Sequence, residues 1–171
     1  MSAGASASAR GAAAAEELAQ SAPGLVIKGS DNAGAVASAD VVFLAFPYEG
    51  QRPVLEDLGP ALEGKIVVSV IAPMKFERGK GASAVEVEAG SAAQEAQDML
   101  PGSQVVAAFQ NASAEELLDP SVTMEGDVIV CSDHPEAKKL VMELADKIND
   151  LRSVDGGSLA NAKYVEQITP L

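Results

Sequence analysis

Asp40-Val41-Val42-Phe43-Leu44-Ala45-Phe46-Pro47 decides the fold. After its opening acid the run is apolar up to Pro47, with no alternation of apolar and polar positions. A half-solvated strand alternates, whereas a strand covered on both faces is apolar throughout, as in a parallel sheet. Pro47 closes the run, because proline has no N–H to give to a strand ladder. The same pattern recurs downstream in Lys65-Ile66-Val67-Val68-Ser69-Val70-Ile71, Val105-Val106-Ala107-Ala108-Phe109 and Val128-Ile129-Val130-Cys131. Shorter strand-like pieces stand at Leu25-Val26-Ile27 and near Val154.

Helical segments fill the spaces between. Ala12 to Ala19 is strongly helix-forming, and Pro23-Gly24 stops it. Asp31 or Asn32 suits the cap of a short helix to Ala39. Pro53 suits the first turn of a helix reaching Leu62. Ser91 caps a helix to Leu100, which Pro101-Gly102 ends. Ser132 or Asp133 serves as the N-cap of a helix over residues 136–149, with Pro135 near its first turn and an apolar stripe at Leu140, Val141, Leu144 and Ile148. Gly156-Gly157 leads to a last helix capped by Ser158, and residues 73–90 read as irregular and Gly-rich. Strands alternating with helices imply right-handed crossovers. The fold class is therefore α/β, Rossmann-like, with a largely parallel sheet flanked by helices.

The chain has 171 residues and a formal net charge of −13, which repels phosphate backbones and anionic lipid surfaces. Nucleic acid and membrane are therefore not expected partners. No apolar run approaches the ~20 residues of a membrane span. Met1 to Ala15 holds one Arg and no acid but lacks the greasy centre of a secretory signal, so it reads as a frayed start to a helix. One Cys and one His exclude a disulfide framework and a Cys/His metal cluster, and the composition suits a reducing cytoplasm.

Few motifs carry chemistry by themselves. Gly79-Lys80-Gly81-Ala82-Ser83-Ala84 matches Gly-x-Gly-x-x-Gly/Ala but follows no buried strand, so it reads as a loop. Gly29 to Gly34 has the wrong spacing and reads as a turn. His134, at a predicted helix start, has no base or ligand partner nearby in sequence and reads as a capping-region residue. Cys131 ends a buried strand and reads as a structural thiol. Ligands of parallel α/β sheets lie beyond the carboxyl ends of the strands. The polar tails there are Pro47-Tyr48, Pro73, Gln110-Asn111-Ala112-Ser113 and Asp155-Gly156-Gly157-Ser158. Each is also compatible with plain turn chemistry.

Ala45-Phe46-Pro47, KIVVS (65–69), GSAAQEAQDML (90–100), VVAAFQNAS (105–113), GDVIVC (126–131) and VDGGSLANAKYVEQITPL (154–171) occur in family order. Together they resemble the NADPH-dependent coenzyme F420 reductases over roughly residues 25–171. The resemblance implies a Rossmann-type domain, usually homodimeric, that moves a hydride between NADP(H) and the deazaflavin F420. Such chemistry explains the lack of an acid–base constellation, since the coenzymes supply the reacting atoms. The resemblance places Phe46, Pro47 and Tyr48 beside the ribose and nicotinamide, and Ala72 and Pro73 near the nicotinamide. Ala112, Ser113 and Ala114 border the transfer gap, Thr169 lies close to the deazaflavin, and Gln110 stands where many relatives have His.

Against the family pattern, residue 1 falls after the first strand and Gly-rich phosphate loop, and Leu171 falls before a closing segment. The resemblance therefore implies a chain truncated at both ends. Ser6-Ala7 or Ser8-Ala9-Arg10 stands where the family holds the 2′-phosphate. The implied organisation is an N-terminal helix region (1–24), a partial NADP-binding domain (25–150) and a deazaflavin-side segment (151–171). Two other readings stand beside the reductase: a non-catalytic binding or dimerisation module that kept the sheet, and another NAD(P)-linked reductase. A sheet without its central strand would leave an edge unpaired.

Overall fold

The computed structural model describes residues 3–21, 24–79, 81–118 and 123–169. In chain order the elements are α1 (Ala3–Ser21), α2 (Asn32–Ala37), β1 (Val41–Leu44), α3 (Gln51–Leu62), β2 (Ile66–Ser69), β3 (Met74–Glu77), β4 (Gly81–Ala84), α4 (Ala92–Met99), β5 (Gln104–Ala107), α5 (Ala114–Leu117), β6 (Gly126–Val130), α6 (Pro135–Ala145), β7 (Leu151–Asp155) and α7 (Ala162–Ile168). Strands β1, β2 and β5 lie side by side and parallel, with Val41 opposite Ile66 and Ile66 opposite Gln104. An antiparallel bridge between Ala107 and Cys131 joins β5 to the end of β6, which pairs in parallel with β7. Among the described residues, β1 has β2 on one side and no strand on the other.

The unbroken apolar strands have a simple cause. Successive side chains of a strand point to opposite faces, so Val67 enters one core and Val68 the other. On the first face, Leu44, Val67 and Val105 meet Leu55, Leu58 and Leu62 of α3, Ala92, Ala93 and Ala96 of α4, and Val165 of α7. On the second, Val68, Val106 and Val128 meet Ala137, Val141 and Ala145 of α6. The expected caps form at Asp31, whose side chain accepts from Gly34 N, and at Ser91, which accepts from Gln94 N. The loop after α1 crosses that helix at two glycines. A Cβ on Gly11 would collide with the Ser30 carbonyl, and one on Gly29 with the Gly11 carbonyl.

Several local expectations give way. Leu25-Val26-Ile27 is not a strand, and Leu25 and Val26 are exposed. β-Branched residues become a strand only where a neighbour offers a ladder. Residues 73–90 are not wholly irregular, since β3 and β4 form an antiparallel hairpin that turns through Gly79 (φ 85°) and Gly81 (φ 82°). Helix α6 ends at Ala145, short of the expected 149, and the Asp146 carboxylate beyond it takes Ser153 N and Oγ. The N-cap of α6 is His134, in keeping with its reading as a capping-region residue, and not Ser132 or Asp133; the Ser132 hydroxyl accepts from the His134 N–H. The Pro23 stop, and the final Pro170-Leu171 of the family-like stretch, lie outside the described residues.

Candidate functional site

The chain leaves β1, β2 and β5 at one edge of the sheet, and the segments that follow are stitched together there. Ala108 N and Gln110 Nε2 both donate to the Ser69 carbonyl at the end of β2, at 3.1 and 3.0 Å. Thr169 Oγ1, just beyond α7, donates to the Gln110 carbonyl at 2.8 Å. The backbone is forced at the centre of this junction. Phe109 has φ 69°, a left-handed conformation that is rare for a bulky residue and costs about 1–3 kcal/mol. It ends β5 two residues before the expected Phe109 and closes a turn in which Ala112 N donates to Phe109 O at 3.0 Å. The Phe109 ring tilts against Phe43, centroids 6.1 Å apart.

Among the described residues, two buried polar atoms at this edge have no partner, Gln110 Oε1 and Ser69 Oγ. Buried polar groups are nearly always paired, so orphans at a strand end mark a place where a ligand group or water is expected. Gln110 also borders a groove of about 560 Å³ whose walls are Phe43, Val70, Phe109, Leu117, Leu144 and Ile148. Ala112 and Ala114 lie on its rim.

The sequence-derived candidates separate into two groups. Gln110, Ala112 and Ala114 share the groove, and Thr169 is tied to them through the Gln110 carbonyl. Ser113 is exposed, and its hydroxyl accepts Glu116 N at the start of α5. Phe46 and Tyr48 pack instead on the α3–α4 core, with exposed Pro47 opening the helical turn Tyr48–Gly50. The Tyr48 phenol is held above its ordinary pKa, first by burial and then by the Glu95 carboxylate beside it. Half-buried Ala72 precedes buried Pro73, which shares a small crevice with Glu166.

Several residues of the site were not singled out by their sequence context. Gln51 is fully buried, donating to the Ala92 carbonyl at 3.0 Å and to Glu95 at 2.8 Å, while Arg52 pairs with Glu95 at 2.7 Å. Glu166 accepts Ala92 N and Ala93 N at 2.8 and 3.1 Å. Phe43 and Phe109 offered one signal, being two of only four phenylalanines in the chain.

Other chemistries find no footing. His134 Nε2 meets Gln97 Oε1 at 2.9 Å and ties α6 to α4. Burial pushes the Cys131 thiol up, the opposite of an activated nucleophile. Among the described residues no group of three or more His, Cys, Asp or Glu is placed to hold a metal, and no helix is long and apolar enough to cross a membrane. Neither glycine-rich stretch suits a pyrophosphate. Gly79 and Gly81 serve the hairpin turn, and the Asp31 carboxylate already occupies the start of α2.

Comparison with known proteins gives concordant matches. The family described as NADP oxidoreductase coenzyme F420-dependent matches residues 3–73. The F420-dependent NADP reductase of Methanothermobacter marburgensis is 38% identical over 150 residues, covering 86% of this chain and 67% of the relative. That of Methanocaldococcus jannaschii is 38% identical over 146 residues, covering 85% and 66%. The chain thus spans about two thirds of the length of these curated relatives. A solved structure of an Arthrobacter sp. FB24 protein superposes with a TM-score of 0.73 at 24% identity, covering 82% of this chain and 66% of that one, a likeness of fold.

Proposed function

The chain belongs to the coenzyme F420-dependent NADP oxidoreductase family, and on that premise we propose that it transfers a hydride between NADP(H) and the deazaflavin F420. The observation that carries this reading is the Gln110 junction, where an orphaned amide oxygen stands at the strand ends beside an apolar groove. The two coenzymes supply the carbon that loses the hydride and the carbon that gains it. The protein's work is then to stack two rings, fix their distance and keep water out.

The residues suit that work at the ring end. Gln110 Oε1 is an acceptor without a donor, as an amide or ring N–H requires. Ala112, Ser113 and Ala114 are small enough to leave the transfer gap open, and Thr169 reaches the same edge from α7. In this reading Phe46, Pro47 and Tyr48 run beside the ribose and nicotinamide, with Ala72 and Pro73 behind the nicotinamide. Residues 25–150 form the NADP side and 151–171 the deazaflavin side. The fit does not extend to the phosphates, for which neither glycine-rich stretch provides a cradle. A homodimer in the cytoplasm belongs to the same reading.

The test is to mix the purified chain with NADPH and oxidised F420 and follow the deazaflavin's visible absorbance. Enzyme-dependent bleaching is expected. No bleaching, together with no binding of either coenzyme, would overturn the proposal. It would favour a second reading, a binding or dimerisation module, which the edge of β1, without a neighbouring strand among the described residues, and the 46% exposed Phe43 support.

A further inference from the structure

Among the described residues Glu166 is the one charged side chain that is buried, at 2% exposure. It projects from the middle of α7, next to the core residue Val165. Its oxygens are divided between two donors: Oε2 accepts Ala92 N at 2.8 Å and Oε1 accepts Ala93 N at 3.1 Å. These amides open α4 and have no partner within that helix. Ser91 Oγ takes the next donor, Gln94 N, at 3.0 Å. The start of α4 is thus completed by a side chain from the far end of the chain.

The same short helix is fastened at its exit, where Thr169 Oγ1 donates to the Gln110 carbonyl at 2.8 Å. A helix of seven residues does not persist by its own hydrogen bonds, so its attachments decide where it stands. Apolar contact through Ala162 and Val165 seats one face, but apolar contact alone does not fix the helix along its axis. The Glu166 carboxyl does, because its two bonds reach two successive backbone N–H groups.

We infer that Glu166 is a positioning residue, the joint that seats α7 and thereby holds Thr169 and Gln110 in place at the ring-binding edge. Its link to F420 rests on the function proposed above; its role in seating α7 does not.

The joint also titrates. Burial pushes the Glu166 carboxyl up to about 7, partly opposed by the two N–H donors. A group whose proton is held more tightly when buried favours the seated helix at low pH and loosens it as pH rises through that value. The groups facing it are Tyr48 from the turn after β1 and Cys131 from the end of β6, both of which feel its charge. Lys163 of α7 lines the same crevice, and Glu95 of α4 lies one residue pair away through Gln51 and the Ala92 carbonyl.

The test uses the full chain, with amide hydrogen exchange and steady-state kinetics on wild type, Glu166→Ala and Glu166→Gln. In Glu166→Ala, exchange across residues 162–169 rises on the order of tenfold, while β2 and β5 are unchanged. The KM for F420 rises by a similar factor and that for NADPH by less than about twofold. In wild type, opening of α7, corrected for the intrinsic rate, increases between about pH 4.5 and pH 7 and levels off above that, and Glu166→Gln abolishes that step. Unchanged exchange of α7 in Glu166→Ala, or the same pH profile in wild type and Glu166→Gln, would overturn the inference. If Glu166→Ala does not fold, the wild-type and Glu166→Gln profiles decide. If wild type shows no turnover, the function fails while the exchange measurements still judge the joint.

Discussion

On one face of the β1–β2–β5 sheet, Leu44, Val67 and Val105 lie sealed beneath α3, α4 and α7. On the other, Val68 and Val106 are covered by α6, while Phe43, Val70 and Phe109 line an open groove. The strands supply apolar side chains to both faces alike, so the contrast comes from the helices. On the sealed face, alanines 92, 93 and 96 let α4 sit close to the strands, and a buried carboxyl fastens α7 to α4. Across the open face the groove is met by Leu144 of α6, by Ile148 beyond the end of that helix and by Leu117 of α5. Close packing is thus concentrated on the sealed face, and ring-sized apolar space on the face that Gln110 borders.

The contrast can be broken in graded ways. The largest effect is expected at the centre of the sealed face, where Leu55 is 2% exposed. Leu55→Ala should lower the free energy of unfolding by about 2–5 kcal/mol, read from urea midpoints. The next probes Glu166. Its carboxyl rises from 4.5 to about 7 on folding, so its contribution is fully present below the lower value and is lost as pH rises through the upper one. Wild type should therefore lose about 3 kcal/mol of stability across that range relative to Glu166→Gln.

A third substitution tests packing where β7 returns to β6. A Cβ on Gly156 would stand 2.5 Å from Cys131 Sγ and 2.7 Å from Ile129 Cγ2, so Gly156→Ala should cost about 1–3 kcal/mol by the same melts. The smallest effect belongs to the open face. Phe43 is 46% exposed, and Phe43→Ala should cost no more than about 1 kcal/mol. A loss there as large as that of Leu55→Ala would erase the distinction between the faces.

What was legible in the sequence follows the same division. The parallel sheet could be read because its strands are apolar on both faces, as Val67 and Val68 show by entering different cores. The Asp31 and Ser91 caps could be read because capping is local chemistry. Leu25-Val26-Ile27 misled because strand propensity needs a neighbour, and the β3–β4 hairpin stayed hidden because Gly81–Ala84 holds only small residues opened by a glycine, although Met74-Lys75-Phe76-Glu77 does alternate apolar and charged positions. The resemblance singled out Gln110 and Thr169, yet the left-handed Phe109 that brings them together has no sequence mark. Glu166 looked like one acid among many in an acidic chain. Only the tertiary meeting of α7 with the first amides of α4 makes it a buried joint.

The central claim is that a coenzyme ring binds at the carboxyl edge of the sheet, between the Gln110 turn and the end of α7. The most direct measurement is the amide-exchange footprint of oxidised F420 on the full chain. Protection confined to the segments around residues 108–114 and 162–169, with β6 and the β3–β4 hairpin unaffected, is the predicted result. Saturating F420 that leaves both segments as fast-exchanging as in the free chain would contradict it.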